Sequence, residues 1–438
     1  MKKKTISSSR HQAISIASSP NTESDDIRTA LKLLFSPWRW GVKWNNNDVS
    51  RIQKAFAKYF HVSNSYTYNS GRGAIYSVLK AIGTTDKHEV ITQAYTCAAV
   101  PTGIIWSGAT PIYVDIKAKS YNTTATLIKK AITPNTKAVI IQHTFGQPAE
   151  IDQICEMLKK INSKRQPKDK VFLIEDCAHS LGAKYKGKKI GEWGDAAILS
   201  FGQDKVISCT YGGMALSKDS EISKILQKNY NDLQGESIFN IFRAIVHPIL
   251  WTIINRTYYL PNIKTKSGRP SKLSMGKGFI MLLRLFRILQ HTADPSKINL
   301  DKPYVRRLSN AQAIMLRVQF RKLARYNRHS RIIAQIYNRI LPEKLQIISP
   351  NHIFLRFPLK VNNPEEISNE FKKNKIILGN WYNNAIHLAD QTPEKFKYIK
   401  GSCPIAERTA QKSLNLPTAI NVSEQDAVRV GKLLNNSL

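Results

Sequence analysis

The sequence predicts an α/β fold: a large domain with a mainly parallel sheet flanked by helices, followed by a smaller C-terminal α/β domain. Three observations carry this expectation. Short β-type runs recur from Glu89 onward, helical stretches lie between the early ones, and a last α/β portion runs from Ile353 to the C-terminus. Strands that alternate with helices are joined by crossovers, and crossovers produce parallel neighbours.

Taken in order, residues 1 to about 25 are polar and Ser-rich, with little to bury, and read as a mobile tail. Phe35-Ser36-Pro37-Trp38-Arg39-Trp40 is an aromatic cluster suited to anchoring an arm on the body or on a second subunit. An apolar helical face (Ala74, Ile75, Val78, Leu79, Ile82) ends at Gly83, a helix stop. The β-type runs follow: Glu89 to Thr92, Pro111 to Asp115, Ala138 to Ile141, Val171 to Ile174 and Ala196 to Leu199, with a helix over Ile151 to Ile161. Residues 230–302 break the rhythm. They hold two apolar stretches, Ile238 to Leu260 and Phe279 to Leu289, separated by a basic linker from Lys264 to Lys277. Arg306 to Leu341 reads as one or two Arg-rich helices. The expected division is therefore a tail and arm over 1–48, a large domain over 49–229, a helical insertion over 230–302 and a small domain over 303–438.

A chain of 438 residues with 42% hydrophobic content can bury two cores of ordinary size. Its formal charge of +35, from 66 Lys+Arg against 31 Asp+Glu, favours anionic partners but says nothing about fold. Cys97, Cys155, Cys177, Cys209 and Cys403 form no CxxC pair and no Cys/His spacing suited to zinc, so no metal site is expected. The basic N-terminus lacks the apolar segment of a signal peptide, which makes a cytoplasmic protein the expectation.

In a parallel sheet the chemistry gathers at the carboxyl ends of the strands, and three such places stand out. Val171 to Ile174 runs into Glu175-Asp176-Cys177-Ala178-His179-Ser180, whose carboxylate can face a ligand over the sheet edge or serve merely as a turn or helix cap. Ala196 to Leu199 runs into Ser200-Phe201-Gly202-Gln203-Asp204-Lys205, where a hydroxyl and an amine share one turn; a lone Lys there is by default a solvated charge. Asn69-Ser70-Gly71-Arg72-Gly73 opens the amphipathic helix, and its backbone N–H groups suit either a phosphate or an ordinary N-cap. Singly each is ambiguous. Together they supply a phosphate cradle, an acidic partner and a lysine in that order, which are the parts that pyridoxal phosphate needs.

These stretches resemble the DegT/StrS-type sugar-nucleotide aminotransferases of fold-type I. The likeness covers roughly residues 50–229 and 303–438. It also includes Gly108 to Asp115, Thr133 to Ala138, His143-Thr144-Phe145-Gly146-Gln147-Pro148-Ala149, Gly212-Gly213, Cys403 to Arg408 and Leu414 to Pro417. The resemblance implies that Lys205 forms the Schiff base with pyridoxal 5'-phosphate and shuttles the proton. It implies that Asp176 pairs with the pyridinium nitrogen, that His179 sits near the ring hydroxyl, and that Ser200 with the backbone of Gly71 and Arg72 binds the phosphate. It further implies a homodimer and transfer of an amino group, with glutamate the expected donor, to a keto sugar on a nucleotide or lipid carrier, for a surface polysaccharide or related glycan.

The chain departs from that pattern at four places. Gly71-Arg72-Gly73 stands where Gly-Thr-Ala is commoner, and Arg72 can clamp phosphate. Cys97 stands where a ring-stacking aromatic is usual, leaving Tyr95 or the thiol itself to face the ring. Tyr211 replaces an acidic residue before the paired glycines, and Val305 aligns near an Asn given across the dimer. The insertion has two readings. Its apolar bulk and nearby cations suit contact with an anionic membrane surface through 238–290, while a helical cap over the active site or dimer interface buries the same residues. Arg243, His247, Pro248 and Arg256 argue against a simple transmembrane helix. Two other functions stay open: a sugar dehydratase of the same fold, against which Lys205 counts, and a non-catalytic basic binding or regulatory protein, for which only the charge speaks. No nucleic-acid-binding signature is present.

Overall fold

The structure is a computed structural model and describes residues 14–16, 19–41, 47–117, 119–260, 274–289, 299–387 and 393–438. Residues 1–13 of the expected tail and most of the Lys264–Lys277 linker lie outside the described residues.

The central sheet has seven strands: β1 (Ser65–Tyr68), β2 (Glu89–Gln93), β3 (Thr110–Val114), β4 (Thr136–Gln142), β5 (Phe172–Asp176), β6 (Ala196–Ser200) and β7 (Gly213–Ser217). They lie in the order β1-β7-β6-β5-β4-β2-β3. Only β7 runs against its neighbours, opposite both β6 and β1; the other pairings are parallel. Val90, Val139, Ile140, Ile174 and Ile198 are fully covered, as sheets with helices on both faces require. The five runs read from the sequence are five of these strands. The two others are β1, whose Ser65-Tyr66-Thr67-Tyr68 has no aliphatic run, and β7, which opens on glycine.

The register brings distant segments to one edge. Asp176 pairs with Ile198, Ser200 with Gly213, and Gly213 with Tyr68, so the ends of β5, β6 and β1 and the start of β7 share the carboxyl edge of the sheet. The helix Gly71–Ala81 starts from that edge two residues after β1, with the Ser70 hydroxyl accepting from Gly73 N–H as its N-cap. Gly83, at φ +77°, closes it in the left-handed conformation that glycine adopts without strain.

Residues 303–326 add Val305, Leu308, Ala311, Leu316 and Tyr326 to the cores that flank the sheet. A separate core forms beyond them. The antiparallel pair Phe357–Lys360 and Ser413–Leu416 packs on the helices Leu323–Ile340, Pro364–Lys373 and Glu424–Asn435 through Ile333, Tyr337, Phe357, Phe371, Leu416 and Leu434. Part of the stretch read as a tail is packed: Ile14 and Ser15 pair with Ile376 and Ile377, and buried Asn21 donates to Val206 O and accepts from Ile420 N–H.

Among the described residues the insertion forms two helices, Ile238–Thr257 and Met275–Leu285. The first is long and apolar enough to cross a membrane, yet Ile241 and Ile245 belong to the core beside the sheet and 44% of its most apolar window is buried. Pro248 lies inside it and leaves the carbonyl of Ala244 without a helical donor; the Thr210 hydroxyl fills that place at 2.9 Å. This contact ties the helix to the loop that follows Lys205. Arg243 binds back to Ile288 O, and Ile254 packs with Ile280, Leu283 and Leu289, so the two helices share a small core of their own.

Candidate active site

A cleft with about 720 Å³ of free space, its open mouth included, lies over the carboxyl edge. Seven residues singled out from the sequence line it: Gly71, Arg72, Cys97, Asp176, His179, Ser200 and Lys205. They come from four separate strand ends, and topology alone gathers them.

The cradle is tight because two glycines allow it. A Cβ on Gly71 would stand 3.1 Å from Ser200 Cβ, and one on Gly213 would stand 2.6 Å from Gly71 N and closer still to Ser70 O. The backbone at the helix start therefore sits directly against Ser200, leaving N–H groups and a hydroxyl beside one another. Arg72 is half-buried there, over the Trp106 ring at 6.0 Å, and makes no ion pair among the described residues. Burial pulls its guanidinium below the usual range, the state of a cation that lacks an anion.

Asp176 ends β5 with one carboxylate oxygen accepting from Ala178 N–H at 3.0 Å. Burial raises its carboxyl, against that N–H and the nearby Lys205 charge. His179 is held neutral, far below its usual range, by burial first and then by Lys205 and Arg356. Its Nδ1 accepts from Phe145 N–H at 3.3 Å, so Nε2 bears the proton, 3.5 Å from the Tyr382 hydroxyl. Phe145 stacks on the same ring at 5.7 Å. Burial likewise raises the Cys97 thiol, which stays protonated on the cleft wall.

Lys205 Nζ lies 3.4 Å from Asp204 Oδ2, and Arg356 Nη2 donates to that same oxygen at 2.6 Å. Burial pushes the Asp204 carboxyl up, but Lys205 and then Arg356 outweigh it and hold it well below the carboxylate range.

Tyr95 is the exception among the expected site residues. Its backbone takes φ +63° and its ring turns into a buried cluster with Tyr121, Phe145 and Tyr382, where its hydroxyl meets Ser413 Oγ at 2.8 Å. It does not line the cleft; Tyr382, from far along the chain, does. Tyr382, Arg356, Asp204 and Gln142 were not marked by sequence reasoning. Asp204 lies inside a marked motif and Gln142 next to one, and both could have been found there, whereas nothing local distinguishes Arg356 or Tyr382. Tyr211 lines the cleft with its phenol pushed up to about 12 by burial and its oxygen accepting from Gln203 at 2.9 Å. Val305 packs against Gly73 of its own chain.

A parallel sheet with a lysine, an acid and an anion cradle on one edge defines a cofactor-dependent enzyme of the α/β class. The sequence profile of the DegT/DnrJ/EryC1/StrS aminotransferase family matches residues 27–234 and 289–435, and the chain belongs to that family. The unmatched stretch between them holds both insertion helices. The chain is 27% identical to the GDP-perosamine synthase of Escherichia coli O157:H7, over 95% of this chain and 96% of that one. It is 24% identical to UDP-N-acetyl-3-dehydro-alpha-D-glucosamine 3-aminotransferase of Acidithiobacillus ferrooxidans, over 84% and 83%. The fold is shared with NtdA from Bacillus subtilis, solved with bound cofactor PMP, at a TM-score of 0.68 and 19% identity over 99% of this chain and 86% of that one. The protein is a pyridoxal-phosphate-dependent sugar aminotransferase.

The residues present fit that cofactor. The glycine cradle leaves backbone donors, the Ser200 hydroxyl and the unpaired Arg72 where a phosphate would be held, Asp176 offers an ionisable acceptor for a ring nitrogen, and Lys205 offers an amine. When bound, pyridoxal phosphate supplies the electron sink for the bond made and broken at the amino-bearing carbon. Asp176 would hold the proton on the ring nitrogen. His179, neutral with its hydrogen on Nε2, can donate to a ring oxygen. Lys205 Nζ, once unprotonated, can take a proton from one carbon and return it to another. Ile75, Val100 and Ile198 make part of the cleft wall apolar.

Proposed function

We propose that the protein moves an amino group from glutamate to the keto group of a sugar carried on a nucleotide, for a surface polysaccharide or related glycan. In this reading Lys205 is catalytic, and Asp176, His179, Ser200, Gly71 and Arg72 hold the cofactor, with Cys97 on the ring face. The observation that carries it is the placement of Lys205, Asp176 and the Ser200–Gly71 cradle around one cleft. The nucleotide carrier is favoured by relatives named for GDP- and UDP-linked sugars and by the formal charge of +35, which suits a diphosphate. The enzyme works as a homodimer in the cytoplasm, with the insertion touching the anionic inner face of the membrane. Support for that contact is the exposed face of Met281, Leu282, Leu285 and Phe286 beside exposed Arg284 and Arg287.

The test is an absorption spectrum with added pyridoxal phosphate, then with glutamate. A visible band of lysine-bound cofactor that glutamate bleaches to the pyridoxamine form is the expected result. A band indifferent to glutamate removes that donor. Lys205→Ala should lose both the band and transamination while melting within a few degrees of wild type; full turnover by this variant refutes the assignment.

A further inference from the structure

Arg356 has the largest fully buried side chain among the described residues, at 1% exposure, and it lies beside the cleft rather than on its wall. It is brought there by the segment before Phe357–Lys360: Ile353 and Leu355 donate their N–H groups to Gly146 O and Phe145 O, docking this segment on the turn after β4. Its guanidinium carbon stands over the Trp381 ring, 3.3 Å from the centroid; Nη2 donates to Asp204, and Nη1 has no hydrogen-bond partner among the described residues. A desolvated guanidinium with one arm unsatisfied is a costly thing to keep in a core. The residue it is spent on is Asp204, whose same oxygen faces Lys205 Nζ.

We propose that Arg356 is a positioning residue for Lys205: by pairing with Asp204 it neutralises the carboxylate beside the lysine, so that the amine is released for bond formation instead of being held as an ammonium. The inference rests on the reading of Lys205 as the residue that captures the cofactor. To do so Lys205 gives one proton to solvent; its nitrogen lone pair then forms the bond to the carbonyl carbon, and the oxygen leaves as water with the two remaining amine hydrogens. An unshared carboxylate 3.4 Å away would oppose the first of these steps. The other charged or titratable groups around the pair are Arg72 and Cys97 on the cleft wall, Asp176 and His179 from β5 and its following turn, and Tyr382 from the C-terminal part. Of these the carboxylate in reach of Lys205 through an ion pair is Asp204.

The experiment follows cofactor capture by the apoprotein as the visible band grows, from pH 6 to 10, in wild type, R356M, R356K, D204N and the double variant D204N/R356M. Loss of the guanidinium alone should move the pH midpoint of capture upward by roughly 1–3 units, and loss of the carboxylate alone should move it downward. R356K, which keeps the charge, should stay near wild type. The double variant, with neither charge, should return close to it. A merely structural role would lower the melting temperature of all four variants without this pattern of signs. If R356M does not fold, a midpoint lowered in D204N and brought back toward wild type in the double variant decides. Midpoints that stay together in folded variants overturn the inference and leave Lys205 in place; absence of a band in wild type overturns both.

Discussion

At the scale of single residues, the cleft is defined by charges that the fold leaves uncompensated. Arg72 is the clearest: half-buried, on the cleft wall, without an ion pair among the described residues, at the start of a helix whose dipole already favours an anion. A hydroxyl at this position would offer one neutral hydrogen bond, whereas a guanidinium offers charge-assisted ones worth about 1.5–3 kcal/mol. Arg72→Ala should therefore weaken pyridoxal-phosphate binding roughly 10- to 150-fold, measured as a dissociation constant by titrating the visible band. An unchanged constant would show that Ser200 and the backbone suffice. The sequence announced Arg72, Asp176, Ser200 and Lys205 because each follows a strand or opens a helix within a few residues of its partners in the motif. Tyr382 and Arg356 were illegible for the opposite reason. Segments far along the chain bring Tyr382 onto the cleft wall and Arg356 beside it, and an arginine before a strand looks like any surface cation until its burial is known. Tyr95 was misplaced by the same limit: its position in the chain is right for the cleft, but a left-handed backbone turns its ring into the neighbouring aromatic cluster.

At the scale of elements, strands β2 to β6 were legible because each carries an aliphatic run bounded by polar residues; their order in the sheet, with β2 between β4 and β3, is shown by the structure alone. β1 was not legible, since it lacks an aliphatic run although Tyr and Thr favour strands, and β7, which opens on glycine, is held by a partner on either side. The insertion divides along its length in a way that composition could not show. The first helix is half absorbed by the core through Ile241 and Ile245, so deleting all of 238–290 would open that core and test nothing about lipid. The second helix buries Gly276, Ile280 and Leu283 and exposes Met281, Leu285 (77%) and Phe286 (62%) with two arginines. Each large apolar side chain inserted in a bilayer contributes about 1.5–3 kcal/mol, and each basic residue near an anionic surface about 1 kcal/mol. The triple substitution Met281→Glu, Leu285→Glu and Phe286→Glu should therefore keep the fold and abolish flotation with vesicles rich in phosphatidylserine. Equal flotation of wild type and variant, or none by either, would sink the membrane reading and return the exposed face to the dimer interface.

At the scale of the whole molecule, folding hides histidines as neutral groups, and this fixes how the apoprotein answers to acid. His247 and His352 are pushed down to about 3 by burial, and His179 is driven well below its ordinary value by burial together with Lys205 and Arg356. In the unfolded chain each titrates near 6.5, so below that pH the unfolded state binds protons that the native state refuses, and stability must fall with pH. The contribution is intact above about 6.5 and is lost progressively as pH drops toward 3. Between pH 7.5 and 5.5 His247 and His352 each remove about 1.4 kcal/mol, or about 3 kcal/mol together, and His179 acts in the same direction. Asp26 and Asp176, raised by burial, act in the opposite sense, because the native state takes up their protons first. Carboxyls held low, Asp204 and Glu192 among them, lose their contribution only at more acid pH. A net loss of stability over this window is thus expected from chemical denaturation of the apoprotein at fixed ionic strength. His352 isolates the cause, since its Nδ1 accepts from Phe354 N–H at 2.8 Å and an asparagine can keep an acceptor there without titrating. His352→Asn should shrink the loss between pH 7.5 and 5.5 by about 1.4 kcal/mol, whatever its own cost at neutral pH. A variant whose stability falls as steeply as wild type would show that His352 takes up its proton in the native state after all.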